Sequence, residues 1–107
     1  MNLRLHISAR ADTDLVEIAE YISINNPAAA SRSLHSCGDG MKLLARMPTV
    51  GPVYEIENAR LSGMRKWGVK GFPKYLIFYR FDDHTLFVAR VIHGARDLPT
   101  LFEGKTR

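Results

Sequence analysis

The apolar and polar positions of this chain follow a period of two, then of 3.6, then of two again. Near the N-terminus, LRLHI (residues 3–7) alternates Leu3, Leu5 and Ile7 with Arg4 and His6, the signature of a strand buried on one face with His6 on the wet side. Leu15, Ile18, Ala19 and Ile22 then stand at i, i+3, i+4 and i+7, one stripe of a helix that Ser8 is placed to cap. Asp12, Asp14 and Glu17 lie near the positive end of its dipole. Asn26 and Pro27 suit the cap and first position of a second helix, so a tight helical hairpin is predicted. Its apolar seam is Ala30, Leu34, Cys37, Met41 and Leu44, and Gly38 and Gly40 weaken it by about 1 kcal/mol each. MPTVGP (residues 47–52) must stop that helix. Period two returns in RLSGMRKW, KYLIFYRF and TLFVARVIH, the last two joined through DDH as an antiparallel hairpin. DLPTLF reads as one closing helical turn. The order strand, helix, helix, three strands predicts an α+β fold, a two-helix hairpin packed on a three- to four-stranded antiparallel sheet, in one domain over residues 1–107.

Composition narrows the class. With 46% hydrophobic and 24% charged residues the chain can bury a core, and no apolar run approaches the eighteen or so residues that span a bilayer. MNLRLHISAR carries neither an apolar signal core nor a small-residue cleavage site, which predicts a cytoplasmic protein. The lone Cys37 has no cysteine to pair with and reads as a small core residue. The net charge of +4 is unevenly spread: residues 58–107 hold ten Lys/Arg against four Asp/Glu, while residues 1–57 hold five against seven. Arg60, Arg65, Lys66, Lys70, Lys74 and Arg80 follow one another without an intervening acid, a field that attracts polyanions or an acidic protein.

His93 closes an oily hairpin and reads first as a strand-end histidine donating to a backbone carbonyl before Gly94, with a proton-transfer role as the alternative. Arg96 and Asp97 can pair on the surface. Trp67, among Arg65, Lys66 and Lys70, either covers a sheet edge or anchors a base or a partner. His6, His35, His84 and His93 lack metal-ligand spacing, and Gly63, Gly68 and Gly71 read as a flexible loop without phosphate-loop context, so neither metal nor cofactor is expected.

Taken together, ARADTDLVEIAEYISINNPAAA, MPTVG, YLIFYR and RVIHGARD, in this order and spacing, resemble the RelE/ParE superfamily of bacterial type II toxins, and within it the ParE branch. The resemblance implies a toxin that poisons DNA gyrase by binding it and that a cognate acidic, ParD-like antitoxin neutralises in a hetero-oligomer. RelE-like relatives instead cut mRNA on the ribosome. For that chemistry this sequence offers His93, Arg96, Arg65 and Arg80, with Arg90 as a further phosphate-binding cation, but it has Phe102 where a tyrosine often stands and no convincing acid or lysine pair, Glu55 and Glu57 lying in a loop-like stretch. A plain nucleic-acid-binding module is the third possibility. Because YLIFYRF and LFVARVI are apolar at both parities, the helices and DLPTLF leave sheet surface that an antitoxin helix is expected to cover. The expected contacts are Leu15, Ile18, Tyr21 and Ile22 on the helical edge and Arg65, Trp67, Tyr79 and Arg90 on the sheet.

Overall fold

The computed structural model describes residues 2–54 and 63–94. Its elements are β1 (Arg4–Ile7), α1 (Ala9–Ser23), α2 (Pro27–Arg46), β2 (Arg65–Val69), β3 (Phe72–Phe81) and β4 (Thr85–His93). Both helix starts form as their cap residues dictate. The Ser8 hydroxyl accepts from the Ala11 N–H at 3.0 Å and the Asn26 side chain from the Ala29 N–H at 3.1 Å, each cap contributing about 1 kcal/mol. No helix among the described residues is long and apolar enough to cross a membrane.

The strands lie in the order β1-β4-β3-β2, with α1 and α2 on one face. The α+β architecture is as expected, with one difference: β1 pairs with β4 in parallel, Leu5 beside Leu86 and Ile7 beside Val88, so the sheet is mixed rather than antiparallel. Alternation marks a half-buried strand but carries no information on its neighbour. β2 begins only at Arg65, after Gly63 turns the chain at a φ of 85°, and runs on to Val69, two residues past the expected RLSGMRKW. Gly68 belongs to this strand, and Gly71 turns it into β3 at a φ of 81°.

Each sheet face carries its own core. On the helix side, Ile77, Tyr79, Leu86, Val88 and Val91 pack with Ile18, Cys37, Met41 and Leu44. The α2 seam departs from expectation at Leu34, which is 44% exposed, while Ser33 turns inward and donates to the Ala30 carbonyl at 2.6 Å. Small inward residues let α2 lie close to the sheet: a Cβ on Gly40 would come within 3.2 Å of Ile77 Cδ1. On the outer side, Phe78 and Ile92 are buried with Met64, and Tyr54 packs on them edge-on at 5.3 Å from the Phe78 ring. The middle of the outer face is therefore closed by the chain's own Tyr54 and Met64, against the expectation that a partner must cover it. DLPTLF falls outside the described residues.

Candidate functional site

Two polar clusters fix the helix-side surroundings of any site. In the first, Asp14 of α1 is buried. Its Oδ2 accepts from Arg90 Nε at 2.8 Å and from the Val91 N–H at 3.0 Å, while its Oδ1 accepts from Arg90 Nη2 at 3.0 Å. Arg10 adds a longer contact at 3.6 Å. Such a bidentate pair fixes orientation as well as supplying attraction, and breaking one half of it strands a buried charge. The residue assigned above to the helix dipole is thus a clamp between α1 and β4. Its position carried a signal, since Ala11, Asp14 and Ile18 share the buried stripe. β4 accommodates Arg90 with a bulge: Phe78 faces Arg90 and Tyr79 faces Val88, leaving Ala89 as the extra residue.

In the second cluster the Tyr79 hydroxyl accepts from the Gly51 N–H at 3.0 Å and donates to the Pro48 carbonyl at 2.8 Å. Burial pushes its pKa up, partly offset by the Gly51 hydrogen bond and the Arg65 charge. Gly51 has no room for a Cβ, which would stand 2.5 Å from that hydroxyl and 2.6 Å from the Lys66 carbonyl. Arg65 donates to the Gly51 carbonyl at 2.7 Å and the Thr49 carbonyl at 3.3 Å. The MPTVG turn is thereby bolted to the sheet.

Beyond Asp14, α1 and the sheet enclose an open cleft of about 650 Å³. Glu17, Ile18 and Tyr21 form its helical wall; Phe72, Pro73, Lys74 and Tyr75 of β3 with Val91, Ile92 and His93 of β4 form the other. Tyr21 is 69% exposed at the rim. The Tyr75 pKa is raised by burial and then by the nearby Tyr21 hydroxyl. The His93 ring stands edge-on to Tyr75, with centroids 5.3 Å apart. The cleft is mostly apolar, with Glu17 on one lip and Lys74 and His93 on the other, the make-up of a seat for an amphipathic segment.

Of the residues singled out from sequence, Ile18, Tyr21 and His93 meet in this cleft. Leu15 and Ile22 are half-buried against the core, as is Trp67, which covers the sheet edge. Two expected partner contacts are corrected: Tyr79 is fully buried with its hydroxyl bonded on both sides, and Arg90 is buried and neutralised by Asp14, so neither presents surface. Arg65 is spent on the Thr49–Gly51 turn and on the Phe81 ring 5.7 Å away. The nuclease candidates stand apart. His93 pairs with Tyr75 and Arg65 with Tyr79, positions roughly 13 Å apart along β3, and Arg80 lies on the outer face opposite Phe87. Arg96 and Arg60 are outside the described residues. Sequence reasoning missed Phe72, Pro73 and Tyr75, because a cleft wall has no periodic signature of its own.

The family model for the ParE toxin of the type II toxin–antitoxin system parDE matches residues 5–98. The chain belongs to the ParE toxin family. Among solved structures, this ParE-type toxin is similar to a chromosomal ParDE toxin–antitoxin system from P. aeruginosa, with a TM-score of 0.70 and 16% identity over 85% of this chain and 95% of that one. It is also similar to the toxin–antitoxin complex RelBE2 from Mycobacterium tuberculosis, with a TM-score of 0.55 and 26% identity over 87% of this chain and 99% of that one. No curated protein sequence matches it.

Proposed function

We propose that this ParE-type toxin acts in the cytoplasm by binding, with DNA gyrase as its target, and that a cognate acidic antitoxin silences it by seating an apolar segment in the cleft between α1 and the β3 and β4 ends. The observation that supports this most directly is the cleft, an apolar surface left open beside a core whose buried side-chain polar atoms, among the described residues, are all hydrogen-bonded. Lys74 and His93 on its sheet-side lip favour an acidic flank on the partner, which raises the association rate and makes it sensitive to salt. The dispersal of His93, Arg65 and Arg80 speaks against a preassembled phosphodiester-cleaving centre.

Purified toxin is expected to block gyrase supercoiling and to leave translated mRNA uncut. The competing reading, ribosome-dependent mRNA cleavage, draws on the likeness to RelBE2. Cuts at defined codon positions that vanish in His93→Ala and Arg96→Ala would establish it at the expense of the gyrase reading. For the antitoxin, hydrogen exchange should show protection at residues 14–21, 72–75 and 91–93 on complex formation; protection confined to residues 25–47 rules out the cleft.

A further inference from the structure

The sheet has two edges, and the chain treats them differently. Along β2, Val53 bridges Arg65, the Tyr54 N–H donates to the Met64 carbonyl at 2.7 Å and the Lys66 N–H to the Pro52 carbonyl at 3.1 Å, so residues 52–54 shield that edge. β1, at the other end of the strand order, pairs with β4 alone among the described residues. Its peptide groups alternate in direction. The Arg4 N–H donates to the His84 carbonyl at 2.8 Å and the Ser8 N–H to the Val88 carbonyl at 3.0 Å, while the Leu3 N–H turns the other way, to the Ala45 carbonyl of α2 at 2.9 Å. Leu5 and Ile7 share the parity of Leu3, so their N–H and C=O groups point away from the sheet, about 7 Å apart, and meet no hydrogen-bond partner among the described residues. The open edge runs beside a pocket of about 520 Å³ between β1 and α2. Leu3, Leu5 and Ala45 give it an apolar floor, Leu5 remaining 37% exposed, and Asp39, Lys42 and Arg46 stand along its helical side. Leu5 lies beside the buried Leu86, so alternation puts the exposed Arg4 on the outer face. Among the described residues Arg4, Lys42 and Arg46 enter no ion pair. Three uncommitted cations against one carboxylate thus surround a strip of unpaired backbone.

From this edge we infer a docking site for an extended acidic peptide segment of a partner protein, which adds to the sheet as a fifth strand beside β1. Its backbone pairs with Leu5 and Ile7, alternate side chains enter the apolar pocket, and its carboxylates meet Arg4 on the outer face and Lys42 and Arg46 on the helical one. A second copy of this chain, pairing β1 to β1, would gather the three cations of each copy against two Asp39 carboxylates, and charge disfavours it. A helix would satisfy the cations while leaving the Leu5 and Ile7 peptide groups unpaired. The edge shares no residue with the cleft at Tyr21 and does not depend on the reading given for that cleft.

The test is fluorescence anisotropy of a labelled seven-residue peptide alternating Glu and Val, with the purified full-length toxin at low salt. Binding is expected, with new hydrogen-exchange protection at the Leu5 and Ile7 amides. Methylating every backbone nitrogen of the peptide, which keeps its charge and apolar content, should weaken binding about 10-fold or more. Leu5→Pro removes a donor from the free edge and none from the β4 ladder, and should weaken it comparably. Lys42→Glu, on the exposed side of α2, should also weaken it and guards against a folding defect in the proline variant. Tyr21→Ala, in the cleft, should bind as the wild type does. Absence of binding, equal binding of the methylated peptide or of its Lys/Val counterpart, or unchanged affinity in Leu5→Pro or Lys42→Glu would each overturn the inference. So would a dimer of the toxin alone in sedimentation that Leu5→Pro dissociates, since the edge would then belong to a second copy.

Discussion

Asp14 and Tyr21 lie seven residues apart on α1, about 10 Å along the helix, and both look toward β3 and β4, yet their environments are opposite. Asp14 is 2% exposed and held by three hydrogen bonds. Tyr21 is exposed and looks across an apolar cleft. The difference lies in how the helix is moored. Ser8 ties the start of α1 to β4 twice, its N–H donating to Val88 and its hydroxyl to Ala89, and Asp14 clamps it again two turns on. The C-terminal turns then run on toward the Asn25–Asn26 turn, with Ile24 76% exposed. One helix therefore serves as a fixed strut at its start and as one wall of a docking seat at its end.

The sharpest way to break this contrast is Asp14→Ala. It strands the Arg90 guanidinium and the Val91 N–H, and should cost about 3–5 kcal/mol in chemical denaturation. Replacing both partners by apolar residues, Asp14→Leu with Arg90→Met, should recover most of that loss. If the double variant is as unstable as the single one, the clamp is more than a charge pair. Next in size is Tyr79→Phe, which leaves the buried Gly51 N–H and Pro48 carbonyl without their partner and should cost about 1–3 kcal/mol.

A pH experiment probes the same closed interior. Burial pushes the Cys37 thiol up from 9.0 to about 11. Because the folded pKa lies above the unfolded one, the corresponding stability is intact below pH 9 and is lost as pH rises toward 11. Cys37→Ala should flatten the alkaline limb of the stability profile, and in the wild type thiol labelling at pH 8 should be slow until denaturant opens α2. The smallest stability effect belongs to the open end. Tyr21→Ala should change unfolding free energy by less than about 0.5 kcal/mol while weakening the antitoxin complex by about 2 kcal/mol or more if Tyr21 anchors it. Calorimetry against titration separates the two, and a variant that loses stability without losing affinity would reverse the assignment of Tyr21.

Much of this molecule was present in local pattern. Ser8, Asn26 and Pro27 marked both helix starts, the 3.6-residue stripe chose the faces of α1 and α2, and period two located β1, β3 and β4, because caps and periodicity act over a few residues. The apolar content of β3 and β4 at both parities showed that both sheet faces need covering, but it was the tertiary structure that closed the middle of the outer one with the chain's own Met64 and Tyr54, where a partner was expected. The family was legible in the order of these segments. What tertiary structure alone decided concerns partners far apart in the chain: β1 beside β4 in parallel across some eighty residues, Asp14 against Arg90, and Tyr79 against the Pro48–Gly51 turn. An arginine on a strand reads the same whether it meets phosphate, a partner or a buried carboxylate, and only its neighbours in space decide which. The cleft is the clearest case, since it exists where one helix end stands off from two strand ends, and a gap between elements leaves no mark on the sequence of any one of them.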